Sequence, residues 1–152
     1  MTEEVVSGQT TIGTKIFMSK GVHQDAKTPP TELVEMSYDA SGFGIDRGSV
    51  TEHDRTALGH MDKVIVAGLA EAGSVSTTLF YEGKKDSAYR ASLSAFKDRK
   101  PRYFKRTLNN GDAVEFIASI TSFSDDSSVD SLLAVSVTLK VSGGFIDTFT
   151  DD

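Results

Sequence analysis

The sequence predicts a mainly β protein, a β-sandwich or barrel with one α-helix, on three observations. Apolar and polar residues alternate over several stretches, at the period of two that is typical of strands. The two longest of these stretches, at about 113–124 and 129–141, predict a hairpin near the C-terminus. A single stretch, at about 86–99, carries its apolar residues at helical spacing instead.

Composition narrows the class of protein further. The chain has 152 residues, the length of one domain, and its hydrophobic fraction of 38% is low for a globular protein. We therefore expect part of its stability to come from contacts with partners. It contains no cysteine, which excludes disulfides and thiolate metal sites. The sequence shows neither a signal peptide nor a membrane-spanning run, so we expect no membrane partner.

The first half of the chain predicts little regular structure. In order, we expect an N-terminal arm, two short strands, a long polar loop and a third short strand, at 1–13, 14–19, 33–38, 41–62 and 64–66. Pro29 and Pro30 exclude regular structure between the first two strands. A structureless loop of this length is unusual inside a compact domain, which makes it a candidate functional segment.

A strand and a helix follow. Residues 74–81 alternate between an apolar-rich face and a polar face, as a half-buried strand does. Asp86 or Ser87 can then cap a helix that Pro101 ends. The predicted packing stripe of this helix comprises Tyr89, Leu93 and Phe96, with Ala88 and Ala95 beside them.

The C-terminal hairpin is the most informative part of the chain. It follows a predicted strand at 103–108 and an Asn-Asn-Gly-Asp turn. Its second strand has one apolar face, made of Leu133, Val135, Val137, Leu139 and Val141, and one small, polar face. Each strand is about twice the usual length, roughly 40 Å, which suits a barrel wall with one face toward water. We expect its long edges to pair with further copies of the chain until a ring closes.

The net charge of −6 is unevenly distributed. Residues 84–106 hold nine of the sixteen basic residues and two acids, so this segment is +7 and the remainder is −13. Such a division suits plus-to-minus docking between copies of the chain. The alternative is a solvated helix face with charged turns beside it.

Four segments form an ordered set. They are Ser41-Gly-Phe-Gly44, Val66–Tyr81 (VAGLAEAGSVSTTLFY), Phe116–Ser124 (FIASITSFS) and Leu133–Gly143 (LAVSVTLKVSG). In order and spacing this set resembles the major tail tube proteins of long-tailed (siphovirus, lambda-type) bacteriophages. The similarity covers about residues 30–143.

The resemblance implies a structural subunit and not an enzyme. It implies a homohexameric ring with a shared inner β-barrel, and rings that stack into the conduit for viral genome ejection. The implied partners are further copies of the chain, a tail-tip initiator, tape-measure and tail-terminator proteins, and DNA that passes through the lumen without specific binding. The implied location is the virion tail, and the host cytoplasm during assembly. No cofactor is implied.

The resemblance also implies which segments make contacts between rings. By position these are the N-terminal arm, the long loop and a C-terminal arm, at 1–13, 41–62 and 142–152. The predicted ring and ring-stacking residues are Phe43, Gly44, Asp46, Arg47, Glu52, His53, Asp54, Arg55, Phe145, Ile146 and Phe149. The last three also stand out as apolar residues in a polar tail, which is typical of a segment that docks on a neighbour.

Several alternatives remain. Contractile tails and secretion-type injection systems share the same architecture, and a β-sandwich display module is a further possibility. Segment 84–106 could bind nucleic acid through its basic residues, with Tyr89, Tyr103 and Phe104 as stacking platforms. An acidic chain favours a conduit instead, because sustained DNA binding needs Lys and Arg to displace counterions.

A metal or catalytic site has little support. Residues with zinc-ligand chemistry lie in the predicted loop with no helix or strand to fix them: His53, Asp54, His60 and Asp62. Three acids at the hairpin turn could gather calcium but are better interpreted as solvated: Asp125, Asp126 and Asp130. The chain has no Gly-x-Ser-x-Gly motif, so we predict no catalytic, cofactor or metal residues.

Overall fold

The structure is a computed structural model that describes residues 13–70, 73–81, 83, 87–126 and 132–150. Within these residues the elements are β1 (Lys15–Ser19), β2 (Leu33–Glu35), β3 (Ala40–Asp46), β4 (Val50–Asp54), β5 (Ile65–Ala70), β6 (Ser74–Phe80), α1 (Ala88–Asp98), β7 (Arg102–Thr107), β8 (Ala113–Asp126) and β9 (Ala134–Thr148). The predicted arm lies outside the described residues except for Gly13. The predicted mainly β class with one helix is confirmed.

Seven strands form one curled antiparallel sheet in the order β2-β1-β7-β8-β9-β6-β3, and β4 and β5 form a separate two-stranded sheet. The long strands β8 and β9 pair with each other from end to end. Their outer neighbours are staggered: β7 pairs with residues 113–118 of β8, whereas β6 pairs with residues 134–140 of β9. Such a stagger is what closes a sheet toward a barrel.

The core lies between the inward face of this sheet and α1. Alternate residues of β9 supply much of it, since Val135, Val137, Leu139 and Val141 are all buried. Leu133, just before the strand, is half-buried. On β7 and β8 the buried rings of Phe104 and Phe116 stack with their centroids 5.5 Å apart, at the centre of the core.

Helix α1 begins at a serine cap and packs through its smallest residues. The Ser87 hydroxyl accepts a hydrogen bond from the backbone N–H of Arg90. The buried residues of the helix are Ala88, Ser92 and Ala95. The predicted stripe is therefore wrong at Leu93, which shares the outer surface of the helix with Arg90 and Lys97. Small side chains on the inner face let the helix backbone lie close to β8. A side chain as large as that of Leu93 on this face would hold the helix and the strand apart.

The predicted long loop at 41–62 is wrong, because β3 and β4 both lie in it. Strand β3 has a β-bulge at Ser41, and two of its outward positions, 42 and 44, are glycines, so its alternation does not show as a pattern of polar and apolar side chains. Backbone pairing with β6 holds it in place, and Phe43 and Ile45 pack against the core. The next predicted strand, at 64–66, overlaps β5 but is too short, since β5 begins at Ile65 and ends at Ala70.

The predicted C-terminal arm is largely a strand, because β9 continues to Thr148. A bulge at Gly143 and Gly144, both at positive φ, interrupts its pairing with β8 between Ser142 and Phe145. After the bulge Phe145 and Ile146 are both half-buried, and Asp147 and Thr148 are both exposed, so burial no longer alternates. Sequence alternation therefore ends at the bulge although the strand does not.

Candidate assembly surfaces

The outward face of four adjacent strand segments is small and polar. We call this unit the half-sheet: residues 119–126 of β8, residues 134–140 of β9, β6 and β3. In register across it, the outward residues are Ser119, Ser122 and Ser124 of β8, Ala134, Ser136, Thr138 and Lys140 of β9, Ser74, Ser76, Thr78 and Phe80 of β6, and Gly42, Gly44 and Asp46 of β3. Hydroxyls and backbone thus dominate this surface, which faces away from the core.

The half-sheet ends in an unpaired edge on each side. On one side β3 pairs only with β6 among the described strands. On the other side β7 stops opposite Ala118, so residues 119–126 of β8 pair only with β9 among the described strands. The four strands alternate in direction, so the two edges run antiparallel to each other. Unpaired edges of this kind are templates for further pairing.

The β4–β5 hairpin is the second exposed feature. Every residue of β4 is exposed, and the hairpin shows several large apolar side chains to solvent: Val50, Leu58, Met61, Ile65, Val66 and Leu69. Leu58 and Met61, near its tip, are fully exposed. A two-stranded sheet is marginally stable alone in water, so we infer that this hairpin is a contact surface for a partner.

The β4–β5 hairpin joins the rest of the fold at what we call the hairpin root, where Asp46, Arg47 and Gly73 meet the end of β9, and the atoms there are tightly packed. A Cβ atom at Gly73 would overlap the carbonyl oxygen of Asp46 and the ring of Phe145, so only glycine fits there. The Arg47 guanidinium lies over the Phe145 ring, 5.1 Å from its centroid. It also donates two hydrogen bonds to the Asp147 carboxylate, at 2.6 and 2.8 Å. These contacts join the start of the hairpin to the end of β9.

The ion pair at this root shifts a pKa. The hydrogen bonds and positive charge of Arg47 hold the pKa of Asp147 below its ordinary value, against the opposing effect of partial burial. The charge of Arg106 adds to the effect. The Asp147 carboxylate is therefore ionised wherever the hairpin root is intact at neutral pH.

The predicted interface residues fall into four places. Gly44 lies on the outward face of β3, and Asp46, Arg47 and Phe145 lie at or beside the hairpin root. The exposed residues along and just after β4 are Glu52, His53, Asp54 and Arg55. Phe149 is 72% exposed near the C-terminus.

Three of these residues are more buried than the sequence indicated. Phe43 is half-buried and packs on Phe116, with ring centroids 6.3 Å apart. Phe145 is half-buried and meets the same Phe116 ring edge-on at 5.3 Å. Ile146 is also half-buried. The prediction of three exposed apolar residues in the C-terminal tail is therefore wrong for Phe145 and Ile146, because β9 extends through them.

Sequence analysis named Phe43, Gly44 and Asp46 of the β3 edge as interface residues but missed that they lie on a strand, and it missed the β8 edge altogether. Gly42 and Ser41 belonged to the supposed loop, and nothing local shows where β7 stops pairing with β8. One available signal was the Gly-x-Gly spacing at 42 and 44, which matches the period of a strand whose outward face carries no side chains.

The candidate metal ligands are not brought together. Among the described residues, no three potential ligands gather in one place. The side chain of His60 accepts the N–H of Ala57, and Asp54 accepts from Thr56. Asp125 accepts the hydroxyl of Tyr89; Asp130 and the Asp126 side chain lie outside the described residues. No helix in the described ranges combines the length and apolar character needed to cross a bilayer.

The basic segment is less available than its charge suggests. Arg102 pairs with Asp98 at 2.6 Å and Lys105 with Glu115 at 3.7 Å. Tyr103 and Phe104 are buried, and burial raises the pKa of the Tyr103 phenol. These two rings are therefore not platforms for base stacking. The exposed cations of the described part of the segment are Arg90, Lys97, Arg99 and Lys100.

The fold is similar to several solved tail and tube structures. Against the tail of an empty GTA particle, computed with C6 symmetry, the TM-score is 0.70 at 16% identity, covering 93% of this chain and 100% of that chain. The SPP1 tail tube gives 0.64 at 19% identity, covering 94% and 81%. The chain has a tail-tube fold.

Contractile systems show the same likeness. The sheath/tube terminator of the PVC extracellular contractile injection system, in its extended state, gives a TM-score of 0.63 at 11% identity, covering 95% of this chain and 100% of that chain. No family model and no curated protein matches the sequence. The tail-tube fold is thus recognisable by structure at identities below 20%.

Proposed function

We propose that this chain is a structural, non-catalytic subunit of a tail tube, in which homohexameric rings stack into a conduit for DNA. The observation that carries the proposal is the half-sheet with its two unpaired edges. The tail-tube fold supports it, and so does the polar outward face, which suits a channel wall. We further propose the tail of a long-tailed, siphovirus-type virion as its location, with assembly in the host cytoplasm.

Strand direction allows the two edges of neighbouring copies to pair. The β3 edge of one copy and the β8 edge of the next run antiparallel, so pairing them continues the alternation of the half-sheet without a break. Each interface then joins two different edges, head to tail, and such interfaces close into a ring when the rotation between copies brings the last copy back to the first. Because the joined edges satisfy each other, the ring leaves no free edge in its inner wall.

The geometry leaves room for a DNA duplex. Six copies, the symmetry of the similar GTA tail, would give a barrel of 24 strands from four strands per copy. At a strand spacing of about 4.8 Å, this barrel measures at least about 37 Å across between backbones, and strand tilt widens it. The small outward side chains subtract little from that width.

Stacking of rings is assigned to the hairpin and the C-terminus. Among the described residues, the β4–β5 hairpin carries the largest set of exposed apolar side chains. Phe149, near the C-terminus, is a further exposed apolar residue. The predicted stacking residues Glu52, His53, Asp54 and Arg55 lie on the same hairpin. We also propose tail-tip, tape-measure and terminator proteins as partners of the finished tube.

Cysteine cross-linking tests the ring interface, because the native chain contains no cysteine. Gly44→Cys on β3 is combined in turn with Ser119→Cys, Ser122→Cys or Ser124→Cys on β8. Within one chain, strands β6 and β9 lie between these positions. The three strand spacings add up to roughly 14 Å, which is too far for a disulfide. Mild oxidation is expected to give a ladder that ends at six subunits for at least one pair.

The matched control combines Gly44→Cys with Ser94→Cys, since Ser94 is exposed on the outer surface of α1. This pair is expected to stay monomeric on a non-reducing gel. If all three β8 partners behave like the Ser94 control under conditions in which the protein is folded and concentrated, the proposed ring is wrong.

A further inference from the structure

One row of the outward face of the half-sheet carries both an acid and a base. In register across the sheet, Asp46 lies opposite Ser74, Ser74 opposite Lys140, and Lys140 opposite Ser119. The other outward positions whose side chains are described are serine, threonine, glycine and alanine, with Phe80 at one end. One acid and one base therefore lie at the same level, and the register places a further acid, Asp126, opposite Ala134 at the far end of the half-sheet.

Neither charge is neutralised by direct contact. Both side chains are exposed, and among the described residues Lys140 makes no ion pair. The Asp46 carboxylate accepts the backbone N–H of Gly48 at 2.9 Å, which leaves its charge in place. The two residues are two strands apart, about 10 Å, which is close to one Debye length at physiological salt. Each charge thus lies within the field of the other.

We propose that Asp46 and Lys140 form a charge-balanced girdle on the channel wall, in which Asp46 prevents Lys140 from retaining passing DNA. This inference rests on the proposed function, because it requires the outward face to line a channel. Every copy in a ring adds one charge of each sign, so the girdle has no net charge. The fields of alternating charges cancel a short distance from the wall, whereas those of like charges add.

Without Asp46, each ring would present six uncompensated lysines to the phosphate backbone. Lysines arranged around a duplex displace its counterions, and the resulting binding is strong at low salt and weak at high salt. Stacked rings would repeat the contact along the whole tube. Asp46 is therefore the residue that keeps the row of Lys140 from holding DNA.

The test uses Asp46→Asn. An asparagine oxygen can still accept the Gly48 N–H, so the turn is preserved while the charge is lost. Tubes are assembled, mixed with short DNA duplexes, and sedimented; bound DNA is measured, and cryo-electron microscopy shows whether density fills the lumen. At about 50 mM salt we expect D46N tubes to retain at least roughly tenfold more DNA than unsubstituted tubes, and to lose it near 300 mM.

Two controls separate the girdle from other effects. Asp25→Asn makes the same charge change in the β1–β2 connection, where Asp25 is exposed and accepts the backbone N–H of Lys27 in the same type of turn. D25N tubes are expected to behave as unsubstituted tubes. The double variant D46N/K140Q restores a neutral wall and is expected to release the DNA.

Normal tubes of D46N that retain no more DNA than D25N tubes would overturn the girdle while leaving the tube proposal intact. Retention that persists in D46N/K140Q would overturn it equally. If D46N does not assemble, Asp46→Ser makes the same charge change with a smaller side chain. Failure of the unsubstituted chain to form tubes would instead overturn the proposed function, and this inference with it.

Discussion

At the scale of single residues, Arg47 and Asp147 decide how the hairpin sits on the sheet. Arg47 follows β3 directly, and its guanidinium reaches across to the far end of β9. The pair is bidentate and is supported by the Phe145 ring. Because Asp46 precedes Arg47 and faces the opposite surface, one short segment fixes both the hairpin and the proposed girdle.

Asp147→Asn is expected to lower the unfolding free energy by about 0.5–1 kcal/mol at pH 7, since half-exposed ion pairs contribute little more. The folded pKa of Asp147 is lowered, so this stability is present above the ordinary aspartate pKa of about 4 and is lost as the pH falls through the lowered value. Thermal melts of both proteins over a pH series should therefore converge in acid. A difference that persists undiminished at the lowest pH would contradict the assignment to charge.

At the scale of elements, substitutions at the tip of the β4–β5 hairpin are expected to affect assembly without affecting folding. Leu58 and Met61 are fully exposed among the described residues, so Leu58→Ser with Met61→Ser should change monomer stability by less than about 0.5 kcal/mol. If the tip docks on a neighbouring ring, the same change removes about 1.5–3 kcal/mol of burial per side chain. Cross-linked hexamers should persist while sedimentable tubes are lost.

The control for this prediction is Val22→Ser. Val22 is a 46% exposed apolar residue in the β1–β2 connection, away from the hairpin. Tubes of V22S should sediment as those of the unsubstituted chain do. Undiminished tube formation by the hairpin-tip variant would show that rings stack through another surface.

Sequence patterns predicted the elements whose side chains alternate and missed those built on backbone pairing. The faces of β6 and β9 follow directly from Val75, Leu79, Val135 and Leu139, because strand alternation is local information. Strand β3 was missed because glycines have no side chain to alternate. The helix was found, but its buried face depended on how closely α1 approaches β8, which no local pattern contains.

At the scale of the whole molecule, the polar face of β9 was predictable but the assembly edges were not. Which strand borders residues 119–126 of β8 depends on where β7 stops, and that is a long-range register. The similarity of sequence segments indicated the tail-tube architecture, and the fold confirms it. The sequence identities to the similar structures, 16% and 19%, are too low to transfer a function by themselves. The proposal about assembly rests instead on the half-sheet, whose two antiparallel edges can pair between copies.

Negative-stain electron microscopy of the purified chain over a concentration series tests the central claim most directly. We expect sixfold rings at intermediate concentration and hollow stacked tubes at high concentration or with a tail-tip initiator added. Compact monomers under all of these conditions would contradict the account and would favour a β-sandwich display module instead.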